Sequence, residues 1–224
     1  MGKKMSTFAK IFDPQMFCYD FVKWSAALIG LLDLRLKIIY ESKKKPKDIF
    51  KGKFLISSNH MSFEDPVIIT AAYFMRRVGF VATKELFDSK FKNFFFRKVM
   101  RCIEVDKQNV SMKTFKDVQE RLDRGHIVCV FPEGTIHVES EEHKTFKSGI
   151  VMMAMMSEAD IIPTYIPKRK SRWNRQKVYI GERIKISDHI KTPFPTIDDI
   201  CNLTKYIQQK EYELAELANE DKEA

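Results

Sequence analysis

The sequence predicts an α/β fold: a mainly parallel central sheet covered by helices, preceded by an N-terminal amphipathic helical segment. Three observations predict it. Short apolar runs at Phe54–Ser58, Ile127–Phe131 and Ile161–Ile166 read as strands of the buried kind. Segments with helical spacing and recognisable caps lie between them, so strands and helices alternate. The chain before residue 48 has a different character, aromatic at first and then densely basic. The boundaries are therefore an N-terminal helical segment and basic linker over 1–47 and an α/β domain over 48–224.

From Phe17 to Tyr40 the chain is apolar and aromatic, interrupted by Asp20, Lys23, Asp33, Arg35 and Lys37. The longest clean run, Trp24 to Leu32, is about half of the ~20 residues that span a bilayer. Charges at bilayer depth are expensive, so a spanning helix is not expected. Two readings remain. One is an amphipathic helix packed on the domain. The other is a membrane-binding interfacial helix, or bent helix pair, with Phe17, Tyr19, Phe21 and Trp24 at headgroup level. Lys43-Lys44-Lys45-Pro46-Lys47 reads as a solvated linker able to lie against anionic lipid.

The α/β domain opens with the strand Phe54–Ser58 and a helix over Val67–Arg77. A second strand, Val78–Ala82, precedes a helix over Ser89–Met100 in which Phe91, Phe94, Phe95 and Phe96 alternate with basic residues. Ile103–Val105 is a strand. Ser111–Arg124 is a surface helix with Ser111 as cap and Phe115, Val118 and Leu122 on one face; Gly125 ends it. After the strand Ile127–Phe131 comes a methionine-rich helix, Ile150–Ser157. Pro163 places the strand Ile161–Ile166 at an edge or a bulge. Val178–Ile180 and Arg183–Ile186 flank Gly181 as a late hairpin or bulged strand. A last helix starts at Thr196, with Ile200, Leu203, Ile207, Leu214 and Leu217 on its apolar face.

The 224 residues are 44% hydrophobic and carry a formal net charge of +9. That composition supports a core and favours a partner with negative charge: a nucleic acid, an anionic membrane or a phosphorylated substrate. The basic stretch Lys168–Arg175 offers only Trp173 for base stacking, so no nucleic acid is expected. Cys18, Cys102, Cys129 and Cys201 form no C-x-x-C pair and read as reduced core residues of a cytosolic protein. His137, Glu139, Glu141, Glu142 and His143 show no regular ligand spacing, so they read as a polar loop and no metal is expected.

The most informative stretch is Asn59-His60-Met61-Ser62-Phe63-Glu64-Asp65. It joins the first domain strand to a helix that begins at Pro66. Proline suits a first helical position and Asp is among the best N-caps, so Asp65 is expected at the N-cap. On one helix His60 and Asp65 would sit about 140° apart and could not meet. On a loop, the imidazole of His60 can fold back onto the Asp65 carboxylate at the end of a strand, where α/β folds place their sites.

In order along the chain stand Asn59-His60 with Asp65, Lys84-Glu85-Leu86, Ile103-Glu104-Val105-Asp106-Lys107, Phe131-Pro132-Glu133-Gly134-Thr135, Phe146-Lys147-x-Gly149 and Ile161-Ile162-Pro163. This order, over about residues 50–170, resembles the glycerolipid acyltransferase family of the 1-acylglycerol-3-phosphate acyltransferase (PlsC-like) kind. The resemblance implies transfer of an acyl group from acyl-CoA or acyl-carrier protein, as co-substrate and without a cofactor, to the free hydroxyl of a lysophospholipid. His60 would be the general base and Asp65 its partner, with no acyl-enzyme. Asn59, Lys107, Glu133, Gly134 and Thr135 would bind substrate, with backbone N–H groups near the opening loop or Gly134 as oxyanion donors. Two positions depart from the family pattern: Lys107 and Ile136 stand where arginine is usual. Lysine binds phosphate only as a point charge and isoleucine not at all. A phosphate site would then be rebuilt from Lys144, Lys147 or another cation, or the acceptor carries a different head group. The expected location is peripheral, on the cytoplasmic face of an anionic membrane.

Overall fold

A computed structural model describes residues 17–43, 51–100, 102–106, 111–134, 145–169, 171, 173–192 and 194–223. Seven strands form one sheet: β1 (Lys37–Tyr40), β2 (Phe54–Ser58), β3 (Val78–Thr83), β4 (Ile103–Val105), β5 (Ile127–Val130), β6 (Asp160–Tyr165) and β7 (Lys177–Ile180). Their spatial order is β1-β7-β6-β2-β5-β3-β4. All neighbours are parallel except β6 and β7. The helices are α1 (Phe17–Leu32), α2 (Asp65–Ala72), α3 (Lys90–Asn93), α4 (Met112–Asp123), α5 (Gly149–Ser157), α6 (Ile186–His189) and α7 (Ile197–Glu223).

The strand period of two sorts the core into two layers. Phe54 and Ile56 of β2 join Ile127 and Cys129 of β5 beneath α2. Leu55 and Val128 point the other way and pack with α4, α5 and α7 through Val118, Ile150 and Ile207. Both faces are covered, as near-continuous apolar strands require. Ser111 caps α4 by accepting from Thr114 N, and Gly125 follows the helix with φ +81°.

Several elements differ from the sequence expectation. Lys37–Tyr40 is not the tail of a helix but the edge strand β1, paired in parallel with β7. Helix α2 starts at Asp65, with Glu64 in the N-cap position, and stops at Ala72, before the expected Arg77. The helix expected over 89–100 is capped by Ser89 and then widens into a π-helical turn over Phe94–Val99. Pro163 lies in an interior strand, so the edge reading fails and the bulge reading holds. Ile161 faces Ile184 while Thr164 faces Ile180, three residues against four, and this mismatch lies opposite the proline with no N–H to pair. Cys18 and Cys201 are exposed rather than core residues; Cys129 is buried and Cys102 half-buried.

Helix α1 packs on the α2 side of the sheet. A Cβ added at Gly30 would come within 2.5 Å of Ala71 Cβ, so this glycine sets the closeness of the two helices. The Tyr19 hydroxyl donates to Val78 O (2.6 Å) and accepts from Val78 N (2.8 Å), serving the first residue of β3 as a strand neighbour would. Beside it, Arg77 grips Asp20 through Nε (2.9 Å) and Nη2 (2.8 Å), and Lys23 lies 3.7 Å from the same carboxylate. All three side chains are buried. Removing the anion takes a shared carboxylate from two buried cations, a change of the kind that costs about 3–5 kcal/mol. Asp20→Ala is expected to lose about that much stability in urea denaturation; a loss below about 1 kcal/mol would show that Arg77 and Lys23 are otherwise satisfied.

Candidate active site

The parallel strands bring the separated motifs to one edge. β2 lies between β6 and β5, so the segments that follow Ser58, Val130 and Tyr165 meet at the C-terminal end of the sheet. This is where open α/β sheets bind ligands. His60 stands there on the loop after β2. Its Nδ1 lies 2.9 Å from Asp65 Oδ2. The same oxygen accepts from Met61 N (2.7 Å) and Ser62 N (2.8 Å), while Oδ1 accepts from Ser62 Oγ (3.1 Å). Asp65 therefore ties its own preceding loop rather than capping the helix, which corrects the capping role expected of it. Its contacts are with hydrogen donors, so in the neutral imidazole the hydrogen lies on Nδ1, toward the carboxylate.

The plane of the imidazole is fixed by stacking on Phe131, with centroids 4.0 Å apart and the rings 14° from parallel. Phe80 of β3 extends the stack behind Phe131 at 6.4 Å. Asn59 is buried and both ends of its amide are used. Nδ2 donates to Ile166 O at 2.9 Å and Oδ1 accepts from Ile166 N at 2.8 Å. These bonds join the ends of β2 and β6 just before His60.

The turn after β5 supplies Glu133, half-buried, and Gly134, whose φ of +72° disfavours any side chain. Lys147 reaches the same turn. Its N–H donates to Pro132 O (3.1 Å), and a Cβ built at Gly134 would lie 3.4 Å from Lys147 Nζ. Lys107, Thr135, Ile136, Lys144 and the loop His137–His143 lie outside the described residues. Four of the backbone N–H groups near the opening loop and Gly134 are engaged inside the protein: Met61 N and Ser62 N with Asp65, Glu64 N with Ser62 Oγ, and Gly134 N with Phe131 O. These amides are accordingly not open oxyanion donors.

Sequence reasoning missed two members of this neighbourhood. Phe131 was legible only as the first letter of a motif, though an aromatic ring at a strand end beside a histidine is a packing partner in waiting. Glu211 interrupts the apolar face of α7 between Ile207 and Leu214, a visible signal of a buried acid. It is fully buried below the site, and Ser57 Oγ donates to its Oε2 at 3.4 Å. Burial pushes its carboxyl well above the ordinary 4.5, and the nearby Glu133 charge pushes the same way.

The family model described as Acyltransferase matches residues 37–167, from β1 through the end of β6. The chain belongs to the acyltransferase family. It is 26% identical over 194 residues to 1-acyl-sn-glycerol-3-phosphate acyltransferase of Bacillus subtilis (strain 168), covering 84% of this chain and 93% of that protein. It is 28% identical over 165 residues to the probable 1-acyl-sn-glycerol-3-phosphate acyltransferase of Mycoplasma pneumoniae, covering 68% and 61%. The fold is shared with the crystal structure of the 1-acyl-sn-glycerophosphate (LPA) acyltransferase PlsC from Thermotoga maritima. That match has a TM-score of 0.59 at 22% identity over 95% of this chain and 85% of the other.

The pH dependence of stability follows from Glu211. Its folded-state pKa is raised, so its stabilising contribution is full below about 4.5 and is lost as pH rises toward the folded value. Glu211→Gln removes that loss. Its stability relative to the wild type, measured by urea denaturation, is expected to grow as pH rises from 5 to 8; parallel pH curves would contradict the buried-acid account.

Proposed function

We propose that this chain transfers a fatty acyl group from acyl-CoA or acyl-carrier protein to the free hydroxyl of 1-acylglycerol-3-phosphate, forming phosphatidic acid. The observation that carries the reading is the His60–Asp65 pair held at the C-terminal edge of the sheet, with Nδ1 of the ring 2.9 Å from the carboxylate. The names of the Bacillus and Mycoplasma relatives support the same acceptor.

In this mechanism Nε2 takes the proton of the acceptor hydroxyl as its oxygen attacks the thioester carbonyl. Asp65 holds the tautomer and stabilises the imidazolium. The tetrahedral oxyanion collapses, breaks the carbon–sulfur bond and expels the thiolate, which takes the proton from His60. No enzyme nucleophile is needed. Ser62, the hydroxyl nearest along the loop, is turned to Asp65 Oδ1 and Glu64 N. Lys147 beside Gly134 is a cation suited to the acceptor phosphate as a point charge. Lys107 and Ile136, each in place of arginine, favour as a second reading a lysolipid with another head group.

The enzyme works at a membrane surface, on its cytoplasmic face, through α1. The outward side of this helix carries Phe17, Phe21, Trp24, Leu28 and Leu32, with Phe21 67% and Leu32 71% exposed. Its Asp20 and Lys23 point inward, the reverse of a solvated surface helix. Trp24 packs edge-on against Phe74, and exposed Met75, Phe91 and Phe94 add further apolar surface. Such a face suits the headgroup–acyl boundary. Among the described residues no helix is long and apolar enough to cross a membrane.

With acyl-CoA, acyl-carrier protein and lysophosphatidic acid supplied, the wild type is expected to release free thiol, and His60→Ala to lose at least about 10²-fold in rate. Undiminished turnover in that variant would exclude His60 as base. Phe21→Glu with Trp24→Glu is expected to weaken sedimentation with anionic vesicles at least about tenfold, because it puts charges into the apolar boundary. Unchanged sedimentation would leave α1 as packing alone.

A further inference from the structure

A cavity of about 380 Å³ opens at the C-terminal end of β6, beside the site but distinct from it. Lys168, Arg169, Arg175 and Lys177 line it against one carboxylate, Asp221. We propose that this cavity binds the 3′-phosphoadenosine pyrophosphate end of acyl-CoA, the part of the donor remote from the thioester. This rests on the acyltransferase reading above and goes beyond it by choosing the donor.

The cations are held in place by three elements. Arg169 Nη1 donates to Asp33 O (3.3 Å), at the end of α1. Arg175 Nε donates to Arg35 O (3.1 Å), which leaves the two Nη groups of its fork for other acceptors. Lys177 pairs with Asp221 of α7, and that carboxylate also accepts from Tyr179 OH (2.7 Å). Buried Gln176 fixes the wall by donating to Pro167 O at 2.9 Å, while its own N–H donates to Leu34 O at 2.9 Å. The result is a concave, preorganised excess of positive charge, which suits a compact ligand bearing several phosphates. A carrier protein presents its acidic groups on a convex surface, which a cavity of this size does not enclose.

Position fits the donor. Pro167 lines the cavity and follows Ile166, whose backbone is bonded to Asn59, the residue before His60. Two chain steps of about 3.8 Å each and one hydrogen-bonded pair thus separate the cavity wall from the base. A pantetheine arm bridges that span and brings the thioester to Nε2. The cavity wall at Ala218 and Asp221 belongs to α7, whose Leu203 and Ile207 pack on the opposite layer of the core from α2, the helix α1 packs on. The cationic residues, 168–177, also lie beyond the stretch that the acyltransferase family model matches.

The test uses the full chain, with Lys168→Glu/Arg175→Glu as the main variant and Lys168→Ala, at an exposed position, as the milder one. Calorimetric titration with adenosine 3′,5′-bisphosphate is expected to show binding to the wild type that the double variant weakens at least about tenfold. In kinetics, the ratio of KM for acyl-CoA to KM for acyl-pantetheine, which carries the same thioester without phosphates, is expected to rise by a similar factor. Lys168→Ala should move both readouts in the same direction by less. Absence of bisphosphate binding to the wild type, an unchanged KM ratio in folded variants, or a rise in the acceptor's KM instead would overturn the proposal, the last marking a lipid-headgroup site. If the wild type turns over no thioester at all, the acyltransferase reading fails, and the bisphosphate titration alone decides the cavity.

Discussion

One carboxylate organises the site. Asp65 collects the imidazole of His60, two backbone N–H groups and a hydroxyl from the five residues before it. A carboxylate with several donors converging on it is a strong local restraint, because each bond is charge-assisted. It curls the loop after β2 into one shape and sets the imidazole tautomer in the same act. Stacking on Phe131 then fixes the ring plane, and the Asn59–Ile166 amide pair fixes where the loop leaves the sheet. Each of these partners stands at the C-terminal end of a different strand. The placement of His60 therefore depends on the register of β2 with β5 and β6.

The N-terminal helix inverts the ordinary rule for surfaces. Its charges are inside, where Asp20 pairs with Arg77 and Lys23, and aromatic side chains such as Phe21 and Trp24 are outside. Burying Asp20, Lys23 and Arg77 together is expensive unless the geometry is good, and the bidentate contact supplies that geometry. The inversion leaves an apolar surface on the α2 side of the sheet, while the basic cavity lies between the end of α1 and α7.

Much of the sheet was legible because its strands are short apolar runs bounded by turns, as at Phe54–Ser58 and Ile103–Val105. The His60–Asp65 meeting was legible too, since Pro66 forces the helix to begin after the histidine. What local pattern did not show was anything that depends on a distant partner. Lys37–Tyr40 looks like the end of a helix until β7, far along the chain, offers it an edge. Pro163 looks like an edge residue until the extra residue between Ile180 and Ile184 removes the need for its N–H. That both ends of the Asn59 amide meet Ile166, over a hundred residues away, was equally hidden. Cys18 and Cys201 have apolar sequence neighbours yet lie on the outward sides of their helices.

The sequence by itself determined the strand–loop–helix corner at Asn59–Asp65, the alternation of strands and helices, and the chemical character of each motif. These follow from local causes: proline geometry, residue period and the range of a short loop. Tertiary structure alone decided which motifs share the edge with His60, which polar groups are already spent, and where the remaining positive charge gathers. Strand order carries that information, and strand order is set by packing across the whole sheet rather than by any one segment.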